Sequence, residues 1–226
     1  MIYKIFFIIL FLYSCKTRIT FVAQPTSNIQ LNINDKTDKQ IEDLISPYTL
    51  GMAAAMNVII GHSPAFVEKK KPSSALGNFM ADAVMESAIK VYPLSTICIL
   101  NYGGIRSTLD SGEITVGDIF QIMPFENEIA ILKLNTTYID SLQNFIRIKG
   151  GEPISDNINS LKQIALSGQD YFYLVTTDYM ANGGDNYSFL TRASERINTN
   201  IKIRDALIEY VKIHQHITFD TKIREL

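Results

Sequence analysis

The sequence predicts an α+β fold, a mixed β-sheet packed with helices. Three observations predict it. Apolar residues make up 46% of the 226 residues, enough to bury a sizeable core. Stretches with apolar residues three and four apart are interspersed with short β-branched runs. The two kinds do not alternate strictly, as a regular βα repeat would require. The length suits one large domain or two small ones.

The elements follow in chain order. Residues 37–57 place Ile41, Leu44, Ile45, Leu50 and Met52 ahead of an alanine run, which predicts a helix interrupted near Pro47. Val58-Ile59-Ile60 reads as a strand and Ala65-Phe66-Val67 as another. Residues 74–91 read as a helix through Leu76, Met80, Ala83, Val84, Ala88 and Val91, ended by Pro93. Residues 97–100 are too rich in β-branched side chains for a good helix and read as a short buried strand. Asn101-Tyr102-Gly103-Gly104-Ile105-Arg106 follows as a strand-to-loop junction, and Ser111-Gly112 as a turn. Residues 116–122 form a short helix stopped by Pro124, and 129–134 a buried strand. Residues 136–148 form an amphipathic helix (Ile139, Leu142, Phe145, Ile146) closed by Gly150-Gly151. Residues 162–166 and 171–176 read as strands, 179–187 as a loop around Gly183-Gly184, and 201–213 as the last helix, with a terminal strand near Ile217-Thr218-Phe219.

Composition narrows the function. With 21 basic and 23 acidic residues the net charge is −2, against a general nucleic-acid binder, which carries a basic excess. Two cysteines exclude a disulfide scaffold and a cysteine-based zinc site, and three histidines limit any histidine-rich metal centre. Cys98, inside an apolar run, reads as a buried, inert thiol.

The chain opens with Lys4, then an unbroken apolar stretch at residues 5–12, then Ser14-Cys15 and a polar segment. That is the pattern of a secretory signal, far below the roughly 20 residues needed to span a bilayer. Leu12-Tyr13-Ser14-Cys15 resembles the bacterial lipobox, in which the cysteine becomes the lipidated N-terminus. A plain signal peptide with a coincidental cysteine is the other reading. The expected organisation is a lipoprotein signal at residues 1–14, lipidated Cys15 and a polar tether over 15–36, and a globular domain over 37–226. The expected location is the bacterial cell envelope, lipid-anchored to a membrane and facing periplasm or exterior.

Three constellations carry chemistry. The paired glycines of residues 101–106 let backbone approach a ligand, and Arg106 can fork onto a phosphate or carboxylate. A tight turn with a surface arginine has the same residues. Pro124-Phe125-Glu126-Asn127 sets an aromatic after a helix-ending proline; taken alone, Phe125 reads as core. Asp178-Tyr179-Met180-Ala181-Asn182-Gly183-Gly184-Asp185 holds another aromatic, a glycine pair and a carboxylate, and equally describes a capped turn. Together they suit a nucleotide. Two aromatics can stack a base, Asp can accept from ribose hydroxyls, and Arg can meet phosphate.

These segments resemble the C-terminal domain of the 5′-nucleotidase family, which includes bacterial UDP-sugar hydrolases and ecto-5′-nucleotidases. Ala75-Leu76-Gly77-Asn78-Phe79-Met80-Ala81-Asp82-Ala83 is similar to its "LGNLxADA" helix, and residues 101–106 to "NGGGIR". Gly112-Glu113-Ile114-Thr115-Val116-Gly117-Asp118 with Met123-Pro124-Phe125-Glu126-Asn127 is similar to "GxIT…lPFxN", and residues 179–185 to "FLAxGGDG". The blocks keep the family's order over about residues 40–226. The resemblance implies that Phe125 and Tyr179 sandwich the base, that Asp185 binds the ribose hydroxyls and Arg106 the phosphate, and that Asn101, Gly103 and Asn127 line the pocket. Three departures stand out. Tyr179 replaces the usual Phe, Tyr102 replaces the middle glycine, and Pro72-Ser73 stand where a second arginine is usual. Lys69, Lys70 or Lys71 would replace that arginine only as point charges.

In that family the chemistry belongs to an N-terminal metallophosphatase domain whose two metal ions generate and steer hydroxide. Its ligand patterns, D-x-H, G-D-x-x-D, G-N-H-E and G-H-x-H, do not occur in this sequence, and His214-Gln215-His216 lacks an acidic cluster beside it. The expectation is the substrate-binding half of a split 5′-nucleotidase acting on a nucleotide phosphomonoester or UDP-sugar. It would hold no cofactor itself, with divalent metals in a separate metallophosphatase chain and no nucleic-acid partner. A non-catalytic nucleoside- or nucleotide-binding surface lipoprotein is the alternative, and a surface scaffold with a vestigial pocket a third.

Overall fold

The computed structural model describes residues 38–156 and 158–224. The expected signal, Cys15 and the whole tether lie outside the described residues. The chain divides into two units, residues 1–44 and 45–226. Of the first, only residues 38–44 are described, beginning the helix α1 (Lys39–Met56). The expected break at Pro47 does not occur: α1 runs through it. A proline inside a helix removes one N–H bond and kinks or breaks the chain, and here it does not end the helix.

The second unit is built on a four-stranded sheet of β2 (Ile97–Cys98), β5 (Tyr171–Thr177), β4 (Glu128–Asn135) and β6 (Glu195–Lys202), in that spatial order. β2 runs parallel to β5, and β4 runs antiparallel to both β5 and β6, so the sheet is mixed. β4 shows why its sequence is nearly all apolar. Side chains of a strand alternate between faces. Ile129 and Ile131 join one core, Ala130, Leu132 and Leu134 the other, and all are fully or almost fully buried.

One face of the sheet carries α2 (Ala75–Val91) and α7 (Ile203–His214), which pack on Cys98, Ile131 and Val175. Ser74 caps α2 by accepting from the Gly77 N–H at 3.1 Å. A two-stranded sheet, β1 (Ile59–Ser63) with β3 (Gly112–Thr115), lies against α7. Gly61 is required there, because a Cβ would stand 2.5 Å from Val211 Cγ1 and 2.8 Å from the Gln215 carbonyl. β3 leads into α3 (Val116–Ile122), whose N-terminus is a capping box of Thr115 and Asp118. The other face carries α4 (Ile139–Ile148) and α5 (Ile158–Ser167), with Leu142, Ile146 and Leu161 buried on Ile97, Phe172 and Leu174.

Several expectations are corrected. Residues 162–166 lie in α5, not a strand: Leu161 and Ile164, three apart, both meet the second core, a helical spacing. Residues 65–67 form no strand, only the isolated bridge of Val67 to Leu109, and residues 217–219 form none, the isolated bridge to His62 falling at His216 just before them. β3 and β6 were not expected. β6 is the sheet's edge, and an edge strand tolerates the polar run Glu195-Arg196-Ile197-Asn198-Thr199-Asn200 that hides it in the sequence. Residues 136–138 form a 3-10 turn ahead of α4; the expected loop 179–187 holds most of a one-turn helix α6 (Asp178–Ala181) and a 3-10 turn (Gly184–Asn186), with a second 3-10 turn (Ser188–Arg192) after it. Cys98 is fully buried, and burial pushes its thiol well above the usual range.

Candidate functional site

The site sits at one end of the four-stranded sheet, and topology puts it there. β2 and β5 are parallel, so their C-terminal ends lie together. β4 is antiparallel, so its N-terminal end joins them, with Ile129 opposite Thr177. Three segments therefore leave or enter the sheet at the same edge. The turn after β2 brings Asn101, Gly103, Gly104 and Arg106, the segment before β4 brings Phe125 and Asn127, and the segment after β5 brings Tyr179 and Asp185. These eight residues line one cavity of about 360 Å³. All seven residues singled out in the sequence are among them, joined by Gly104.

Local structure aims each side chain. The turn after β2 is a 3-10 turn, Tyr102–Gly104. A Cβ on Gly104 would meet Asn101 Oδ1 at 3.1 Å, so glycine lets the Asn101 side chain fold across the turn. Asn101 then donates its Nδ2 to Asp185 Oδ2 at 2.9 Å. Tyr179 donates its hydroxyl to Asp185 Oδ1 at 3.1 Å and accepts from the Asp185 N–H at 3.2 Å. Both oxygens of the Asp185 carboxylate are thus oriented, each keeping acceptor capacity for a ligand hydroxyl. Asp185 and Asn186 sit at positive φ, 51° and 67°, a costly backbone for residues other than glycine. Gly184 beside them carries the Tyr179 ring: a Cβ there would lie 2.5 to 2.6 Å from three ring carbons.

Phe125 follows α3 and Pro124, with its ring 39% exposed, and the Arg106 guanidinium lies 5.6 Å from the ring centroid. Tyr179 is 43% exposed. Two large aromatics left this open on a cavity wall offer faces to a flat ligand. Asn127 is fixed by Asp178, which accepts from its Nδ2 at 2.9 Å and from the Glu128 N–H at 3.1 Å. Glu126, between Phe125 and Asn127, pairs with Lys202 and with Arg204. Those two hydrogen bonds hold its carboxyl down at about 2. The loop from α3 to β4 is therefore pinned at its centre.

The lysines flank Tyr102. Lys69 donates to the Ile105 carbonyl at 2.7 Å and lies 4.6 Å from the Tyr102 ring centroid; Lys71 lies 5.0 Å from the same ring. Lys70 pairs with Glu68 on the surface. Arg106 is the one cation that lines the cavity among the described residues. No cluster of three or more His, Cys, Asp or Glu suited to a metal ion occurs among the described residues. The cavity's donor set, one carboxylate already bonded to Asn101 and Tyr179, does not fit a two-metal centre. His214 pairs instead with Glu86 at 2.9 Å, away from the cavity. Sequence reasoning missed the supporting residues Asp178, Glu152 and Tyr187; only the position of Asp178 beside Tyr179 signalled one of them.

Comparison with known proteins points the same way. The family model described as 5′-nucleotidase, C-terminal domain, matches residues 53–141. The trifunctional nucleotide phosphoesterase protein YfkN of Bacillus subtilis is 27% identical over 145 residues, 53% of this chain and 10% of that protein. A 5′-nucleotidase of Vibrio parahaemolyticus is 23% identical over 205 residues, 80% of this chain and 35% of that protein. The crystal structure of a 5′-nucleotidase precursor from Thermus thermophilus overlays with a TM-score of 0.66 at 19% identity, covering 80% of this chain and 41% of that one. This last likeness is one of fold. The chain spans about a tenth and about a third of these two relatives' lengths, and about two fifths of the solved structure. Helices on a mixed sheet, the ordered sequence blocks and these matches agree: residues 53–141 match the 5′-nucleotidase C-terminal domain, and the chain is similar to 5′-nucleotidases over about four fifths of its length.

Proposed function

We propose that this chain is the nucleotide-binding half of a split 5′-nucleotidase, working with a metallophosphatase supplied by a separate polypeptide. The observation that carries the reading is the cavity: an oriented carboxylate, two exposed aromatics and a guanidinium from three chain segments. In this reading Phe125 and Tyr179 stack the base, Asp185 accepts from the ribose hydroxyls, and Arg106 meets the phosphate. Asn101 and Asn127 shape the pocket, and Gly103 lets backbone approach the ligand. Divalent metals held by the partner would supply the hydrolytic chemistry; this chain binds and orients the nucleotide. Lipidation of Cys15 would tether the pair at the bacterial cell envelope.

The reading is tested by calorimetry of the full chain in detergent with adenosine, AMP and UDP-glucose. Saturable binding of a nucleotide, with phosphate release only when a metallophosphatase chain is added, is the expected result. Metal-dependent hydrolysis by the pure chain would refute the split, and no binding would refute the pocket. A second reading, a non-catalytic nucleoside-binding lipoprotein, draws on the single cavity-lining cation, Arg106. Nucleoside bound as tightly as nucleotide, with no metallophosphatase recovered alongside the chain, favours that reading.

A further inference from the structure

Glu152 is 3% exposed, and nothing in the binding scheme above uses it. It follows Gly150 and Gly151, both at positive φ, which turn the chain back from α4 toward β2. The returning segment is tied to the β2 region by backbone: Leu100 donates to Pro153 at 3.0 Å, Ser155 donates to Cys98 at 3.0 Å, and Ile99 bridges Ile154. Glu152 is thereby carried beside the turn that opens the cavity.

Each carboxylate oxygen takes one donor. Oε2 accepts from the Tyr102 N–H at 2.5 Å, and Oε1 accepts from the Tyr187 hydroxyl at 3.0 Å. Tyr102 stands between Asn101 and Gly103. Tyr187 closes the turn that carries Asp185, its N–H donating to the Gly184 carbonyl at 3.0 Å, and its ring is fully buried against Phe145. Burial raises the Glu152 pKa, outweighing the Tyr102 and Tyr187 hydrogen bonds and the Lys149 and Lys71 charges that pull it down.

We propose that Glu152 is a positioning residue of the nucleotide site: its buried carboxylate clamps Tyr102 to Tyr187, and so fixes the Asn101 turn against the strained turn that presents Asp185. The clamp braces a left-handed turn. Asp185 and Asn186 both hold left-handed backbone, which Asp and Asn adopt more readily than other non-glycine residues but still at a cost. Tyr187 is the buried anchor next to that strain, and Glu152 is its polar tie. The inference rests on the nucleoside reading of the cavity, and it states which contact Glu152 controls: that of Asp185 with the ribose hydroxyls, not the stacking of the base.

The test compares adenosine with 2′,3′-dideoxyadenosine, which lacks those hydroxyls, by calorimetry on the full chain in detergent. Glu152→Leu leaves both donors unpaired. It should weaken adenosine binding about tenfold and leave the dideoxy analogue within about twofold. Glu152→Gln should restore most of the affinity, because its carbonyl accepts from Tyr102 while the Tyr187 hydroxyl rotates to accept from its amide. Tyr187→Phe removes only the hydroxyl, and it carries the same ribose-dependent loss if Glu152→Leu does not fold. Equal weakening of both ligands, or no weakening of either, would overturn the proposal while leaving the pocket intact. A wild-type chain that binds neither ligand would overturn the nucleoside reading itself, and the clamp with it.

Discussion

Phe125→Ala is the sharpest test of the cavity. The ring is about three fifths buried, and its exposed part faces the site. Base stacking on an aromatic is worth about 1–3 kcal/mol, so its loss should weaken nucleoside binding by about 5- to 150-fold. The stability cost is separable. Full burial of a Phe side chain is worth about 1.5–3 kcal/mol, so the buried part contributes about 1–2. For a domain of this size each kcal/mol moves Tm by about 2–4 °C, a loss of about 2–8 °C. Loss of the Arg106 contact, at 5.6 Å from the ring centroid, adds little at an exposed site. The assay is calorimetry with adenosine and AMP, paired with thermal melting. Phe66→Ala is the control, since Phe66 is also exposed and lines a different groove with Phe219. The aromatic clamp is refuted if the Phe125 variant melts near wild type and binds as tightly as the Phe66 variant.

Gly184→Ala should push the Tyr179 ring aside, because the new Cβ would lie 2.5 to 2.6 Å from its carbons while Gly184 itself is not at positive φ. Adenosine affinity should fall about tenfold with a small change in Tm, the cost of overpacking being confined to the site; an unchanged Kd would show that the ring position is irrelevant. Gly151→Ala should instead cost about 4 kcal/mol or more of stability, since φ is +108° and a Cβ would stand 2.0 Å from the Pro72 carbonyl; a denaturation midpoint within a few tenths of wild type would contradict the packing. Glu126 predicts an acid-side effect. Its carboxyl is held at about 2 against an ordinary 4.5, so its stabilisation is present above 4.5 and is lost as pH falls toward 2. Glu126→Gln should flatten that part of the stability profile, modestly because the carboxylate is exposed and screened, and denaturant midpoints at the two ends of the window check it.

Much of the fold was legible because burial leaves a period. The alternating faces of β4, the three-and-four spacing of α2 and the β-branched content of β2 each follow from which side of the element meets the core. The failures have the same root. α5 was misread because a short apolar run carries too few turns to separate helix from strand. β6 was invisible because an edge strand with one protected side does not need an apolar sequence. The isolated bridges of Val67 and His216 lack the run of paired residues that would mark a strand in the chain.

The site was legible in a different way. Its residue types stood out in the sequence, but their convergence is a property of strand order: Asn101, Phe125 and Tyr179 meet only because β2 lies beside β5 and β4 returns antiparallel. What was illegible is the support. Glu152 reads as an ordinary loop glutamate after two glycines, and Tyr187 as the end of a polar turn. Their meaning depends on a hydrogen bond that joins residues 35 apart and on burial that no local pattern reports. A residue that touches a ligand is constrained by the ligand's chemistry, which a sequence motif can record. A residue that holds such a residue is constrained only by the geometry of its own fold, so the same support can be built from different side chains. The cavity-lining residues are therefore the ones to test for affinity, and Glu152 is the one to test for how that affinity divides between base and ribose.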